Sequence, residues 1–500
     1  MMPISSLPSD EGIGTLGEYA YRFVDFLSRS GAKIWQVLPL NPTNYGDSPY
    51  QSCCSNALNY YFIDLKLLVK CGLLTAEEVD GCELGHVERR VNYGLQFTNK
   101  IALLRQAFAR FDCSDKKFGK FVSDGEYSDF ATFMALKCKF GHKSWEEWDE
   151  PYRSFDKDVT DKFISDNYGE FLFWQFTQYI FLLQWNALKD YVHIHGILIM
   201  GDIPLYLAYD SVEMWKYGDR LFKVDEERRP QFVAGVPPDA FTDDGQLWGN
   251  PVYDWAKMKK TGYEWWNGRI YGCLKLFDIL RIDHFRGFDR YYEVPIGEKT
   301  ARHGSWSDGP KEELFADKLH LNIVAEDLGV IDDGVRRLMK NVGYPGMKIL
   351  EFAFDGSADN EHKPSNYITD NWVCYTGTHD NMPLRQYIDD LSGKGLEIYK
   401  EDLSEQCEKV GFKAGTETSK SMCLSVIELA FRSKARTVII PLWDVLALGG
   451  EARINLPSTV SESNWSWRFI KSDISKKCSS YLKEMALKSG RIANNSDTGC

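Results

Sequence analysis

Three apolar runs of this chain end on acids. The run "DILRIDHF" (278–285) carries Arg281 and Asp283, "LNIVAEDL" (321–328) carries Glu326 and Asp327, and "NWVCYTGTHDN" (371–381) finishes with His379 and Asp380. Arg281 precedes Asp283 by two residues, so on an extended chain both point to one side, where a fixed positive charge holds the carboxylate ionised. A nucleophile needs that state. Glu326 sits among apolar residues with Asp327 behind it, surroundings that raise a carboxyl's pKa and keep it protonated near neutrality. An ionised carboxylate facing a protonated one, about 5–5.5 Å away, is the pair with which retaining glycosidases work. His379 and Asp380 are then expected to hydrogen-bond sugar hydroxyls, contacts that strengthen as the ring distorts. Taken singly, each acid has an ordinary alternative as a helix N-cap or a surface ion pair. His284 and Arg286, beside Asp283, read as packing or supporting groups.

What could bring three such strand ends together? Eight short runs have the β-branched and aromatic bias of buried strands: 33–40, 59–65, 193–207, 278–285, 321–328, 347–354, 371–381 and 436–446. Helical patterns lie between most of them, as at 16–31, 264–277 and 332–343, several ending in Gly as a C-cap does. Alternating strands and helices predict an α/β protein with a parallel sheet, and a count of eight predicts a closed (β/α)8 TIM barrel. The three acids then stand at the C-terminal ends of the fourth, fifth and seventh strands, where the loops of a barrel converge. The stretch 66–190 is too long for one barrel helix and reads as a mostly helical inserted subdomain. No linker, repeat or low-complexity tract divides the chain, so 1–500 reads as one catalytic barrel with a frayed end at "NNSDTGC".

Composition narrows the partners. A net charge of −13, with no basic run, lacks the footprint of a nucleic-acid binder. Aromatics at 14% of the chain, with 15 Trp and 26 Tyr, suit flat faces that stack on sugar rings. The 12 Cys show no CxxC or paired spacing, so the expectation is reduced thiols in the cytoplasm, without a disulfide framework or a zinc site. "MMPISSLPSDEGIGTLG" carries no export or organelle signal; a plastid location is the alternative if a transit peptide has been removed. The most apolar window, 171–185, is too short to span a membrane and carries Gln175, Gln178 and Gln184, so it reads as an amphipathic helix packed on the core.

The motifs "RIDHFRGF", "VAEDLG" and "TGTHDN", in that order, resemble the family-77 4-α-glucanotransferases, the amylomaltases or disproportionating enzymes related to α-amylases. So do "SLPSDEGIGTLG", "WQVLPLNPTNYGDSPYQS", "GDIPLYLAYDS", "VAGVPPDAFTDDGQLWGNP", "GYPGMKILEFAFD" and "RINLPSTVSESNWSWR", which together run from about Pro3 to Arg468. The resemblance implies Asp283 as the nucleophile, Glu326 as the acid/base and Asp380 as the third, sugar-binding carboxylate. It implies substrate-binding roles for Tyr50, Asp202, Asp239, Gln246, Trp248, Arg281 and His379, and a loop over 236–251 that closes on the acceptor side. Such a lid suits a transferase, which must admit a sugar 4-hydroxyl while excluding water.

The implied partners are α-1,4-glucans such as maltooligosaccharides, amylose and glycogen, with no nucleic acid and no membrane. No cofactor or metal is expected, because two carboxylates carry all the proton and covalent work. Four positions depart from the family pattern: Ala240 for a lid Tyr, Met382 after "DN", Trp443 for a Gln and Ser458 for a Gly. None removes a catalytic acid. An α-amylase-type hydrolase is the nearest rival, opposed by the lid segment and by the want of a β-rich domain after "LWDVL". A glucan-binding protein without catalysis is the other; it predicts a missing acid, and all three are present.

Overall fold

A computed structural model describes residues 1–44, 46–85, 88–238 and 243–493. The described strands are, in chain order, β1 (Ile34–Gln36), β2 (Leu198–Ile203), β3 (Phe232–Val236), β4 (Gln246–Pro251), β5 (Ile279–Ile282), β6 (Arg290–Pro295), β7 (Ser305–Asp308), β8 (Ile323–Ala325), β9 (Gly346–Ile349), β10 (Trp372–Tyr375) and β11 (Thr437–Ile439). Two sheets are wholly parallel, one ordered β1-β2-β5-β8 and the other β9-β10-β11. Their strands read as continuous apolar runs because helices cover them from outside. Leu280 and Ile282 on β5, for example, are fully buried. A third, antiparallel sheet ordered β4-β3-β6-β7 stands apart as an excursion from the parallel layers.

The fold is α/β, but the ladders do not close into an eight-stranded ring. Of the eight predicted strands seven form. The run 59–65 instead makes a 3-10 turn over Tyr60–Phe62, with Asn59 accepting from Tyr61 N–H, followed by a helix Leu65–Lys70 capped by Asp64. Its backbone is satisfied by side chains and by loop backbone at Leu16 and Leu40 rather than by a neighbouring strand. Gln178 binds both the N–H (2.7 Å) and the carbonyl (3.0 Å) of Leu58, and Gln184 does the same to Asp64 at 2.7 and 3.0 Å. Gln178 and Gln184 of the 171–185 window are therefore buried clamps and not the wet face of an amphipathic helix, and Gln175 is buried too, its amide reaching only Ser128 Oγ at 3.5 Å.

Single contacts bridge the two parallel sheets. Ala325 N–H donates to the Pro345 carbonyl at 2.9 Å on one side. On the other, Met2 N–H donates to Gln36 O and Leu442 N–H to Met1 O, so the first two residues lie between β1 and the end of β11. Helices end where the sequence predicts. Glu18–Ser30 stops at Gly31 (φ 72°) and Asp333–Val342 at Gly343 (φ 72°), both left-handed. Between β1 and β2 the regular elements of the described residues are all helical, ending in the long helix Tyr168–Ile194 that packs on β2. A buried ion pair, Lys100–Glu11 at 2.9 Å, ties this region to the N-terminal loop. Among the described residues no helix is long and apolar enough to cross a membrane.

Candidate active site

Strand register sets the site. On β2 and β5, Asp202 pairs with Arg281; on β5 and β8, Ile282 pairs with Ala325. Asp283 and Glu326 each follow one residue later, so they leave adjacent strands at the same level, where strands run about 4.8 Å apart. Main-chain bonds fix both exits: Asp283 N–H donates to Ile203 O, Glu326 N–H to Ile282 O and Phe285 N–H to Glu326 O.

Arg281 is buried and bonds three carboxylate oxygens. One guanidinium nitrogen meets both oxygens of Asp202 at 2.8 and 2.7 Å, and the other stands 3.0 Å from Asp283 Oδ1. The Tyr50 hydroxyl donates to Asp202 Oδ2 at 2.8 Å, and the Tyr50 ring stacks on His379 with centroids 5.0 Å apart. His379 Nε2 lies 3.2 Å from Asp380 Oδ2. Asn455 donates to the other Asp380 oxygen at 2.7 Å.

Glu326 accepts from two backbone N–H groups, His284 to Oε2 and Leu328 to Oε1, both at 2.7 Å. His284 can aim its N–H there because it adopts a left-handed conformation, φ 48° and ψ 47°. Its ring meets the Trp248 ring edge-on at 4.9 Å, and Trp248 Nε1 donates to Gln246 Oε1 at 3.1 Å. Tyr50, Gln246, Trp248, Asp283, His379 and Asp380 share the wall of one open cleft of about 380 Å³, together with Asn455 and Trp465.

The electrostatics sort the acids. Burial pushes Glu326 up to about 7, and the nearby Asp283 adds to the rise. Burial also pushes Asp283 up, to about 6, with Arg281 the largest opposing influence. The expectation that Arg281 alone decides the Asp283 charge is thus modified: desolvation outweighs it, yet Asp283 still stands below Glu326. At Asp380 burial works against the charge, but His379 and Asn455 outweigh it and hold the carboxyl at about 2. His284 is pushed down to about 3 by burial and then by Arg286, so its ring is neutral. Asp327 does not act on Glu326 as the sequence suggested. It turns away and accepts from Met347 N–H at 2.7 Å, fastening β9 to β8.

Of the ten site residues read from the sequence, nine are described and gather at this one end of the parallel strands; Asp239 lies outside the described residues, as does Ala240. Asn455 and Trp465 were not singled out. They lie in "RINLPSTVSESNWSWR", outside any strand end, and only an amide two residues before a Pro-Ser pair hinted at the first. Arg286 proves to be a packing group, lying 4.1 Å over the Trp306 ring and donating to Val330 O. Among the described residues no cluster of His, Cys, Asp and Glu is arranged to hold a metal ion.

Comparison with known proteins adds the following. Residues 2–472 match a family model described as 4-alpha-glucanotransferase, glycoside hydrolase 77. A 4-alpha-glucanotransferase of Clostridium butyricum is 44% identical over 474 residues, spanning 93% of this chain and 95% of its own. One from Streptococcus pneumoniae is 40% identical over 512 aligned positions, spanning 99% and 97%. Among solved structures, an amylomaltase from Streptococcus agalactiae in complex with acarbose superposes with a TM-score of 0.91 at 36% identity, covering 98% of each chain.

Proposed function

The chain belongs to the 4-alpha-glucanotransferase family, glycoside hydrolase 77, and from that premise we propose how its own residues divide the reaction. The enzyme is a 4-α-glucanotransferase: it transfers a segment of an α-1,4-glucan to the 4-hydroxyl of an acceptor, with retention. Asp283 attacks the anomeric carbon while Glu326 gives its proton to the departing 4-oxygen, and a covalent glycosyl-enzyme forms. Glu326 then takes the proton of the acceptor's 4-hydroxyl as that oxygen displaces Asp283. Two inversions leave the configuration unchanged. Asp380, charged and aligned by His379 and Asn455, binds hydroxyls of the reacting sugar, and Arg281 with Asp202 and Tyr50 keeps Asp283 oriented.

The register of Ile282 with Ala325 carries this reading, because it starts the two acids from adjacent strands at one level, about 4.8 Å apart in main chain, which is compatible with the carboxyl separation of a retaining pair. The raised pKa of Glu326 over Asp283 supports the same division of labour. The segment 236–251, from the end of β3 through β4, is the lid. Its support is that Gln246 and Trp248 form cleft wall and that Trp248 rests on His284, whose N–H holds Glu326. The two parallel sheets are arcs of one (β/α)8 barrel, with Met1–Met2 as its short remaining arc; the bridging bonds at Ala325 and Met2 support the closure. Residues 66–190 form an inserted helical subdomain. The donors are maltooligosaccharides, amylose and glycogen, and the enzyme works in the cytoplasm; none of its eleven described cysteines is in a disulfide, which suits that compartment.

Maltotriose tests the chemistry. Transfer gives glucose and a ladder of longer maltodextrins, whereas glucose and maltose alone would mean hydrolysis. Asp283→Asn removes the covalent step and should cost about 10⁴-fold or more in kcat. Glu326→Gln should regain activity on donors with good leaving groups, which need little acid help; no regain would refute the acid role.

A further inference from the structure

Behind the cleft wall stands a carboxyl that the reaction scheme does not use. Glu351 lies just past the end of β9, is 5% exposed and rests on the turn 376–381 that carries His379 and Asp380. Its N–H donates to Thr376 O at 3.0 Å, and a Cβ at Gly377 would come within 3.5 Å of its Oε2. Main chain and carboxyl alike therefore press Glu351 against the start of that turn.

From the carboxyl a chain of hydrogen bonds runs to the sugar-binding acid. Asn381 Nδ2 donates to Glu351 Oε1 at 3.0 Å. The Oδ1 of the same amide accepts from Thr378 N–H at 2.9 Å and from Thr378 Oγ1 at 2.8 Å, and Asp380 N–H donates to Thr378 Oγ1 at 3.3 Å. The two Thr378 donors fix which way the Asn381 amide faces, so its NH2 group needs an acceptor where Glu351 stands. Arg453 closes the frame from the far side: one terminal nitrogen donates to Asp380 O at 3.4 Å and Nε to Asn455 O at 2.9 Å. Asp380 is thereby held at its N–H, at its carbonyl and at both carboxylate oxygens.

We propose that Glu351 is a positioning residue for Asp380, acting through Asn381 and Thr378 to fix the turn that presents Asp380 to the sugar. The inference rests on the glucanotransferase reading above, in which Asp380 binds the reacting sugar. An uncharged carboxyl suits the task. Burial pushes Glu351 up to about 8 against the Asn381 bond, with Asp444 adding to the rise and Arg453 opposing it. Tyr387 and Tyr399 also lie within its field and keep their protons, because burial raises both. Ionised Glu351 draws the Arg453 guanidinium towards itself and away from the carbonyls of Asp380 and Asn455, which loosens the frame. Activity that depends on this frame is therefore present below about pH 8 and lost above it.

Maltotriose disproportionation by the wild type, Glu351→Ala and Glu351→Gln from about pH 5 to 9.5 tests this. At about pH 6 the alanine variant should lose about 10- to 100-fold in kcat with KM within about threefold, since hydroxyl contacts to Asp380 tighten in the transition state, and glutamine should restore most of the rate. Glu326 and His379, both raised, titrate on the alkaline limb of every variant, so the reading there is a difference. Glutamine cannot ionise and should exceed the wild type about tenfold at about pH 9, one unit above Glu351. Asn381→Ala cuts the link from its other end and should lose the same kcat, with no further loss when combined with Glu351→Ala; it serves if the glutamine protein does not fold. Glutamine no better than alanine at about pH 6, coincident alkaline limbs, or additive losses in the double variant overturn the inference. Those outcomes leave the glucanotransferase reading standing while the wild type builds the maltodextrin ladder; absence of the ladder removes both.

Discussion

Replacing Arg281 by leucine removes the one cation that bonds Asp202 and Asp283 together. A neighbouring arginine lowers a carboxyl by about 1–3 units, so without it Asp283 should rise from about 6 to roughly 7–9. At about pH 7 the ionised fraction then falls from roughly nine-tenths to between a half and a hundredth, a two- to ninety-fold loss of nucleophile. Glu326 rises as well, since Arg281 also opposes its shift. The sign follows: both limbs of the bell-shaped kcat/KM profile move to higher pH, the acid limb most, and part of the lost activity returns as pH is raised. Lysine at this position should restore charge but not the fork that spans two carboxylates, and so recover only part. The assay is maltotriose disproportionation from about pH 5 to 9. A loss of equal size at every pH would refute the argument, because Arg281 would then be structural and without influence on ionisation.

Asn455→Ala removes a bond of 2.7 Å to Asp380; hydrogen bonds to charged groups contribute about 1.5–3 kcal/mol, so kcat/KM should fall roughly 10- to 150-fold at unchanged melting temperature. Lys100→Met leaves Glu11 buried without its counter-charge, and denaturant unfolding should report a loss of about 3–5 kcal/mol. Ser458 holds φ 63° in the cleft wall, a conformation glycine adopts freely; Ser458→Gly should relieve about 1 kcal/mol of strain, read as a change in unfolding midpoint.

The acids and their strands were legible because each chemical group closes an apolar run, and both signals are local. Arg281 and Asp283, two apart on one strand, do meet at 3.0 Å. What local pattern could not convey is where a backbone finds its partners. The run 59–65 has strand composition but meets glutamine side chains, and Met1–Met2 have no strand signal but bridge two sheets. Asn455 reaches Asp380 across 75 residues, and the left-handed turn at His284 depends on Glu326 accepting its N–H. Burial, too, is a tertiary quantity, which is why the balance at Asp283 differed from one argued on Arg281 alone.

The pairing of β1 with β2 sets a timetable for this chain. Ile34 lies beside Leu198, so synthesis must run on for about 160 residues before the first parallel pair can zip, roughly three doublings beyond an ordinary crossover of about 20. Left as a loose loop, that interval would add about 2 kcal/mol to closure. Helices occupy that interval instead, and the Gln178 and Gln184 clamps on 58–64 tie it back towards β1. In the native state the helical region between β1 and β2 thus spans a long sequence separation with short contacts, holding the ends of the strands that bear Asp202, Arg281 and Asp283 together.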